Sequence, residues 1–287
     1  MRKGSPCKVA VIGLVGRSMF FDVPRFHLGG ETIHATGFHE EWGGKGFNQA
    51  VAAVRQGADV SFLGAVCSPD VKSLNEFCSK EGIRAVLAVK KDATACAAIL
   101  TDGTGETRVT VHPGAELAPK DVDGFAGAIA TADVLLLNNE VPEAVNVAAV
   151  ELAVRYGVKV VFNPAPARKL LDAIRDAVSV WTPNEFEEPA IGDVTGEVVT
   201  TLGAKGCRIR STGEVIPAPP AKAVDTTGAG DTFTAVLAVR FAEGESLQEA
   251  CLAANAAAAK SVEVRYVMPS LPRRTDEVAR NACPTAR

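Results

Sequence analysis

The sequence predicts a three-layer α/β fold in which helices cover both faces of a mostly parallel sheet. From Lys8 onward, short β-branched runs alternate with stretches of helical length, and most runs are followed by glycine or a polar residue. Such alternation is typical of βαβ units. One segment departs from it. Asp102–Gly105 reads DGTG between two strand-like runs, which predicts a hairpin and so a small antiparallel sheet beside the main one.

The N-terminal half supplies the first strands and the small sheet. Lys8–Ile12 is short, apolar and β-branched, as expected for a central parallel strand. Residues 20–42, which are broken by Pro24 and several glycines, and residues 92–113, which hold the hairpin, are expected to form the small sheet. The other elements predicted here are the helix Gly46–Gln56, the strand Val60–Val66, the helix Asp70–Lys80 and the strand Arg84–Val89.

The C-terminal half continues the alternation. The predicted elements are the strand Val134–Leu137, the helix Pro142–Tyr156, the strand Val158–Phe162, the helix Ala167–Asp176, the strands Val178–Trp181 and Glu197–Thr200, and the helices Asp231–Ala242 and Leu247–Val262. The tail after Pro272 is polar and is predicted to end in a short helix. No repeat or long linker interrupts the pattern, so we expect one domain over residues 1–287.

Composition excludes several classes of protein. The formal net charge is −4 and the chain has no block of basic residues, which argues against a nucleic-acid partner. Its seven cysteines form no C-x-x-C motif, which argues against a zinc site or a disulfide framework and favours a reducing compartment. Apolar runs are too short for a membrane span. We therefore expect a cytoplasmic, soluble protein.

A glycine-rich stretch precedes the predicted helix at Asp231. In AVDTTGAGDTF, at 223–233, the amides of Gly228, Ala229 and Gly230 are expected to converge at the positive end of a helix, where they would bind an anion. Asp231 could take a proton from a hydroxyl that attacks a phosphate, or it could simply cap the helix. A dinucleotide-binding fingerprint is excluded because Phe233 stands where its third glycine should be.

Polar residues also follow several predicted strands, at the sheet edge where α/β proteins bind ligands. Lys45, Asn48 and Glu140 suit sugar hydroxyls, although Lys45 could instead be a solvated lysine. Thr201, Gly203 and Gly206 suit phosphates. Asn184 and Glu187 could hold Mg²⁺ through its waters, or Glu187 could be an ordinary surface residue. Together these residues predict one extended cleft.

The sequence resembles the ribokinase-like carbohydrate kinases, the pfkB family, over nearly its whole length. The resemblance is carried by GGKGFNQAVAAVRQGADVSFLGAV, starting at Gly43, FNPAPAR at 162–168, TPNEFE at 182–187, TLGAKG at 201–206 and AVDTTGAGDTF at 223–233. The first and last are specific signatures of the family. The resemblance implies an ATP- and Mg²⁺-dependent kinase that phosphorylates a hydroxyl of a small sugar.

The resemblance also implies a role for particular residues. Asp231 would be the base, and the amides of Gly228, Ala229 and Gly230 would form the anion hole. The residues implied to bind the sugar are Gly44, Lys45, Asn48 and Glu140. The residues implied to meet ATP are Asn184, Thr201, Gly203, Lys205, Gly206, Gly230 and, near the adenine, Asn255. The small antiparallel sheet would be the family's lid, through which a homodimer is expected.

The chain departs from the family pattern at three points. Where the family has Asn-x-Asp to grip a sugar diol, residues 16–18 read Gly-Arg-Ser, so Ser18 would be a neutral partner and Arg17 could read an anionic substrate. Residues 188–199 are too few for the family's usual helices, which would leave the sheet less covered and weaken the role of Glu187. Tyr266 replaces a glycine in the loop of a potassium-type site. The residues implied for that site are Asp225, Thr227, Ser261 and Ser270.

Two other hypotheses stay open beside the sugar kinase. A nucleoside kinase of the same fold would need an aromatic slot for a base, which Phe20, Phe21 and Phe47 could form. A sugar-binding regulatory protein that has lost turnover would account for the short 188–199 segment and the missing Asn-x-Asp. The intact acid in AVDTTGAGDTF argues against it, because a non-catalytic binder need not retain that acid.

Overall fold

The computed structural model describes residues 5–169 and 171–274. Strands in this part of the chain form two sheets. The strands are β1 (Lys8–Ile12), β2 (Gly16–Asp22), β3 (Gly37–Gly43), β4 (Asp59–Cys67), β5 (Arg84–Lys90), β6 (Ala95–Thr101), β7 (Thr107–His112), β8 (Val134–Asn138), β9 (Lys159–Asn163), β10 (Val180–Trp181), β11 (Glu197–Thr201), β12 (Cys207–Ile209) and β13 (Val215–Ile216).

The helices lie mainly between the strands of the larger sheet. They are α1 (Lys45–Arg55), α2 (Val71–Glu81), α3 (Pro119–Asp123), α4 (Ala126–Ala130), α5 (Glu143–Tyr156), α6 (Asp172–Arg175), α7 (Glu188–Ile191), α8 (Ala229–Glu243), α9 (Leu247–Ser261) and α10 (Val267–Ser270). None of the described helices is long and apolar enough to cross a membrane.

The larger sheet has nine strands in the order β13-β12-β11-β10-β9-β8-β1-β4-β5. Every neighbouring pair from β11 to β5 is parallel, and the pairs β11–β12 and β12–β13 are antiparallel. The predicted fold, a mostly parallel sheet with helices and a small antiparallel sheet, is confirmed. In such a sheet the carboxyl ends of the parallel strands lie at one edge, where the candidate polar residues follow them.

Strand β1 shows how the three layers are held together. Its alternate residues point to opposite faces of the sheet, because the side-chain period of a strand is two. Val9 and Val11 join the hydrophobic cluster that includes α1, α8 and α9, whereas Ala10 and Ile12 join the cluster that includes α4 and α5. All four are buried. A strand covered on both faces explains the uninterrupted apolar run in the sequence.

The second sheet has four strands in the order β3-β2-β6-β7 and is called the lid below. Strand β2 pairs in parallel with β6, and the other two pairs are antiparallel. The lid strands extend beyond the predicted segment 20–42. Strand β2 begins at Gly16 and β3 continues to Gly43, and these two residues lie opposite each other. Ser18 therefore belongs to a lid strand. The predicted hairpin is present, with Gly105 donating to the carbonyl of Asp102 at 3.0 Å.

Two predicted elements are shorter than expected. The helix predicted at Ala167–Asp176 is wrong over most of its length, since only the one turn of α6 forms. Contacts with the α5 region explain this: the Leu171 amide donates to Glu143 Oε1 at 2.8 Å, and Arg168 donates to the carbonyl of Val141 at 3.0 Å. These bonds hold the chain outside helical geometry. The strand predicted at 178–181 is reduced to the two residues of β10.

The short segment at 188–199 forms only α7, yet the sheet beneath it is covered. Ile191 of α7 is buried, and so are Val198 and Val199 of β11. The Glu188 carboxylate bonds to Arg208 at 2.8 Å and forms an ion pair with Arg210, which ties α7 to the edge of the sheet. The expectation of a less covered sheet is therefore wrong. The helix predicted for the tail falls largely on residues outside the described ones.

Candidate active site

Asp231 lies on the first turn of α8 with its carboxylate between two side-chain amides of α1. Asn48 Nδ2 donates to Asp231 Oδ2 at 2.8 Å, and Gln49 Nε2 donates to Oδ1 at 3.2 Å. The side chain is only 5% exposed. Gly228 is the N-cap residue of α8 and has no side-chain cap. The alternative that Asp231 merely caps this helix is therefore wrong.

Three ionisable side chains act on one another around Asp231. Burial raises the pKa of the Asp231 carboxyl, and the charge of Lys45 partly opposes that rise. The pKa of Lys45 is raised in turn, chiefly by Asp231, so the ammonium stays charged. Burial, followed by the charge of Asp231, raises the pKa of Glu140 to about 7. Buried groups with perturbed pKa values in one cleft are typical of a site that moves protons.

The residues expected to hold the acceptor meet at the start of α1. Gly44 is the N-cap of α1 with φ of 99°, and a Cβ on it would lie 2.6 Å from the carbonyl oxygen of Leu14, so only glycine fits. The Lys45 amide donates to Glu140 Oε2 at 2.6 Å. The structure thus brings Gly44, Lys45 and Glu140 together beside Asn48 and Asp231.

Ser18 of the lid lies next to this group. Its hydroxyl rests against Gly43, at the position where a side chain on that glycine would stand. Ser18 is opposite Glu41 in the lid, so an acid at position 18 would face a second carboxylate. A neutral hydroxyl is compatible with that neighbour.

Arg17 is not available to a ligand. Its guanidinium contacts Glu40 at 2.5 Å and Asp70 at 2.6 Å, and it lies over the ring of Trp42 at 4.4 Å. The carboxylates of Glu40 and Asp70 thus neutralise the positive charge of Arg17. The hypothesis that Arg17 reads an anionic substrate is therefore not supported by the geometry.

The amides predicted to form an anion hole lie in the turn into α8. Within the described residues, the amides of Gly228 and Gly230 donate to no protein acceptor. The amide of Ala229 differs, since it donates to the carbonyl of Thr226 at 3.3 Å. Gly228 has φ of 77°, which favours glycine and turns the chain into the helix. Two free amides at a helix N-terminus beside Asp231 suit a phosphoryl group.

Two adjoining cavities extend from this turn. One, of about 480 Å³, is lined by Lys45, Asp231, Asn184, Glu187 and the anion-hole residues. The other, of about 400 Å³, is largely apolar and is lined by five of the residues predicted to meet ATP: Thr201, Gly203, Gly206, Gly230 and Asn255. Asn255 is fixed at its floor, where Nδ2 donates to the carbonyl of Ile216 at 2.9 Å. Lys205 lines neither cavity and is exposed.

The residues proposed for Mg²⁺ lie at the rim of the first cavity. The Asn184 amide donates to Glu187 Oε2 at 2.9 Å, and Asn184 Oδ1 accepts from the Glu187 amide at 2.9 Å. No cluster of three or more acidic, histidine or cysteine ligands occurs in the described chain. One carboxylate beside the predicted phosphate site fits Mg²⁺, which takes most of its ligands from water and phosphate.

Three of the four residues implied for a monovalent cation use their side chains in hydrogen bonds within the protein: Asp225, Ser261 and Ser270. Asp225 Oδ1 accepts from the Thr227 amide and Oδ2 from the Tyr266 amide, both at 2.9 Å. The hydroxyls of Ser261 and Ser270 donate to carbonyls three residues earlier in the chain. Each carboxylate oxygen thus accepts one amide hydrogen bond within the protein, and no step is assigned to a cation.

The aromatic slot that a nucleoside would need is absent among the described residues that were expected to form it. Phe47 is fully buried against Phe62 in the core. Phe20 is covered by Tyr266, while Phe21 packs against Phe38 on the other face of the lid. The three rings therefore do not meet.

Two features of the site were missed by the sequence reasoning. One is Gln49, which follows Asn48 in the motif and is buried in α1. The sequence signal that could have revealed it is a polar residue within the apolar run of the predicted helix. The apolar lining of the second, largely apolar cavity includes Phe233, Ala258 and Ala259. Alanines in an alanine-rich helix carry no chemical signal, so only the structure reveals them.

Comparison with known proteins agrees with this geometry. The model of the pfkB family carbohydrate kinases matches residues 7–274. The chain is 33% identical to ribokinase of Haemophilus influenzae, over 93% of this chain and 96% of that protein. It is 32% identical to mouse ribokinase, over 93% of each chain.

Solved structures show the same likeness in three dimensions. Ribokinase of Thermotoga maritima has a TM-score of 0.85 and 30% identity, over 95% of this chain and 98% of that one. Arabidopsis thaliana ribokinase, complexed with ribose and ATP, has a TM-score of 0.85 and 25% identity, over 97% and 100%. This protein therefore belongs to the pfkB family of carbohydrate kinases and is an ATP-dependent sugar kinase.

Proposed function

We propose that this chain transfers the γ-phosphoryl group of ATP to a primary hydroxyl of ribose or a closely related small sugar. The observation that carries the proposal is the buried Asp231 carboxylate, which stands between the free amides of Gly228 and Gly230 and the ammonium of Lys45. The ribokinases that match nearly the whole chain support ribose as the first acceptor to test.

In the proposed reaction Asp231 accepts the proton of the attacking hydroxyl. Its pKa is raised by burial, which favours proton uptake, while the bonds from Asn48 and Gln49 keep the carboxylate oriented. Lys45, Glu140 and the Ser18 hydroxyl hold the sugar. The amides of Gly228 and Gly230 stabilise the charge that develops on the phosphoryl oxygens as it transfers.

The nucleotide would occupy the apolar cavity with its adenine near Asn255, and its phosphates would extend past Thr201 to Gly230. Asn184 and Glu187 would hold Mg²⁺ through water. When bound, Mg²⁺ supplies positive charge to the phosphate oxygens. The protein residues keep the reacting groups in line and limit the access of water.

The proposal is tested by replacing Asp231 with asparagine. Asp231→Asn keeps the shape of the side chain but removes the base, so kcat for ADP release with ribose should fall by about 10²–10⁴-fold. The exposed Asp172 of α6 gives a matched control, Asp172→Asn. A near wild-type rate in Asp231→Asn would refute the mechanism.

The acceptor is identified by comparing ribose, fructose, deoxyribose and nucleosides in the same assay. Ribose should give the highest kcat/KM. A higher value for a nucleoside would favour the nucleoside-kinase hypothesis. Tight binding of a sugar without ADP release across the panel would favour the regulatory protein that has lost turnover.

We also propose that the protein forms a homodimer through the lid. Ala97, Ile99, Val109 and Val111 lie on one face of the sheet, because Ala97 is opposite Val111, Ile99 is opposite Val109, and residues two apart on a strand share a face. Val109 and Val111 are exposed, which leaves an apolar surface for a second copy. Light scattering should report a dimer that Val111→Asp converts to a monomer, and a monomeric wild type would refute this assembly.

A further inference from the structure

The segment that follows α9, residues 262–268, includes the first two residues of α10 and is called the 262–268 loop below. An aromatic stack attaches it to the lid. The ring of Tyr266 lies over the ring of His39, with centroids 3.9 Å apart and planes inclined by 19°. Phe20 meets the same tyrosine ring edge-on at 5.1 Å. Both lid residues belong to the face that also carries Ser18. The loop is therefore in contact with the same side of the lid as the proposed sugar site.

Two lid carboxylates strengthen this attachment. Glu41 accepts hydrogen bonds from the amides of Val267, at 2.9 Å, and Met268, at 3.2 Å. Asp22 forms an ion pair with Arg265. Both strands β2 and β3 thus hold the 262–268 loop through side chains, and the loop contributes backbone amides as well as side chains.

The backbone of Tyr266 is held in an unusual conformation. Its φ is 66° and its ψ is 163°, and it is the sole non-glycine residue with positive φ in the described chain. Such a conformation is energetically costly for a residue with a side chain. A glycine would avoid the cost, so the tyrosine ring must contribute interactions that offset it.

The other side of the loop contacts the anion hole. The Tyr266 amide donates to Asp225 Oδ2, and Oδ1 of the same carboxylate accepts from the Thr227 amide. Val267 packs against Gly228 so closely that a Cβ on the glycine would lie 2.6 Å from Val267 Cγ1. The 262–268 loop is therefore a continuous link of packed groups between the lid and the turn that presents the anion-hole amides.

We propose that Tyr266 is a positioning residue, which couples docking of the lid to alignment of the anion hole. The stack on His39 fixes the position of the loop relative to the lid. The Asp225 carboxylate, which accepts from the amides of Tyr266 and Thr227, then fixes the turn at Thr227 and Gly228 relative to the loop. The inference rests on the proposed phosphoryl transfer, since it assigns a role to the lid in that reaction.

The test compares three variants in the kinase assay. Tyr266→Gly removes the ring at a position whose φ suits glycine, so the protein should fold, and kcat should fall by about tenfold because the stack is lost. Tyr266→Phe keeps the ring and should stay within about twofold of the wild type. Phe38→Ala is the matched control, because it removes a ring that packs with Phe21 on the opposite face of the lid. It should leave kcat unchanged.

Hydrogen exchange of the ligand-free protein gives a readout that does not depend on catalysis. The amides of Thr227, Val267 and Met268 should exchange faster in Tyr266→Gly than in the wild type, and at wild-type rates in Phe38→Ala. If the wild type phosphorylates no acceptor, the proposed function fails, but this exchange comparison still decides whether Tyr266 links the lid to the turn at Thr227. Wild-type exchange in Tyr266→Gly would overturn the proposal.

Discussion

Gln49 Nε2 donates a hydrogen bond to Asp231 Oδ1 at 3.2 Å and reaches Asn163 Oδ1 at 3.4 Å. Asn163 Nδ2 in turn donates to the carbonyl of Thr182 at 2.8 Å. A chain of buried amides thus runs from the ends of β9 and β10 to the carboxylate of the proposed base. Because amide donors favour the charged carboxylate, Gln49 opposes the effect of burial on Asp231.

Replacing Gln49 with leucine should impair catalysis more than sugar binding. Without its donor, the Asp231 carboxylate loses orientation and its pKa rises further, so we expect kcat to fall by about 10–100-fold. The KM for the sugar should change little, and the acid limb of the kcat–pH profile should move to higher pH. Steady-state kinetics from pH 5 to pH 9 measure both effects.

Gln56→Leu is the matched control for that prediction. Gln56 is also fully buried at the end of α1, but it donates to the carbonyl of Pro272 and does not contact Asp231. Gln56→Leu should lower the free energy of unfolding by about as much as Gln49→Leu does, and it should leave the kcat–pH profile unchanged. Equal profiles for Gln49→Leu and Gln56→Leu would show that Gln49 has only a structural role.

Gly228→Ala should disable the anion hole. The new methyl group would lie 2.6 Å from Val267 Cγ1 in a residue whose φ is 77°, so the turn must move. Loss of a preorganised amide costs about 10²–10³-fold in kcat, and we expect an effect of that size. Gly213→Ala is the control, because Gly213 has φ of 71° but no atoms near the position of a Cβ. It should lower the melting temperature yet preserve kcat, whereas equal kinetic losses would contradict the prediction.

The sequence predicted the features that depend on local pattern. Strand and helix alternation predicted the sheet, and the glycines at 228 and 230 predicted the turn into α8. Contacts between distant segments could not be predicted in this way. The Gln49–Asp231 bond joins residues 182 positions apart, and the Tyr266–His39 stack requires the lid to meet the loop after α9.

The helix predicted at Ala167–Asp176 was wrong for a different reason: a local preference was present, but the structure does not follow it. Its residues have acceptable helical propensity, but bonds from Arg168 and Leu171 to the α5 region decide their conformation. Tertiary contacts therefore overrode a weak local preference. The same reasoning explains why the lid strands exceed their predicted bounds, since pairing of Gly16 with Gly43 extends both.

Glu140→Gln should make the protein more stable at alkaline pH. The pKa of Glu140 is raised from its ordinary value near 4.5 to about 7, so the folded state binds its proton more tightly than the unfolded state. The stability that this tighter proton binding gives to the folded state is fully present below about pH 4.5 and is lost as the pH rises through 7. Glutamine avoids this loss and can still accept the Lys45 amide hydrogen bond.

The measurement is chemical denaturation at pH 5 and pH 8. Relative to the wild type, the free energy of unfolding of Glu140→Gln should rise by about 2 kcal/mol between these two pH values. The exposed Glu151 of α5 provides the control, Glu151→Gln, which should show no such difference. A variant whose stability parallels the wild type at both pH values would refute the buried, proton-holding state of Glu140.

Ser18→Ala should weaken sugar binding without slowing the chemical step. The hydroxyl lies against Gly43, next to the residues expected to hold the sugar. A neutral hydrogen bond contributes about 0.5–1.5 kcal/mol to binding. We therefore expect the KM for ribose to rise by about threefold to tenfold at constant kcat. An interaction made equally in the ground state and the transition state raises KM alone. Ser79→Ala, on the exposed face of α2, is the control. If KM stays at the wild-type value, Ser18 does not contact the sugar, and specificity at this end of the site must come from Lys45 and Glu140.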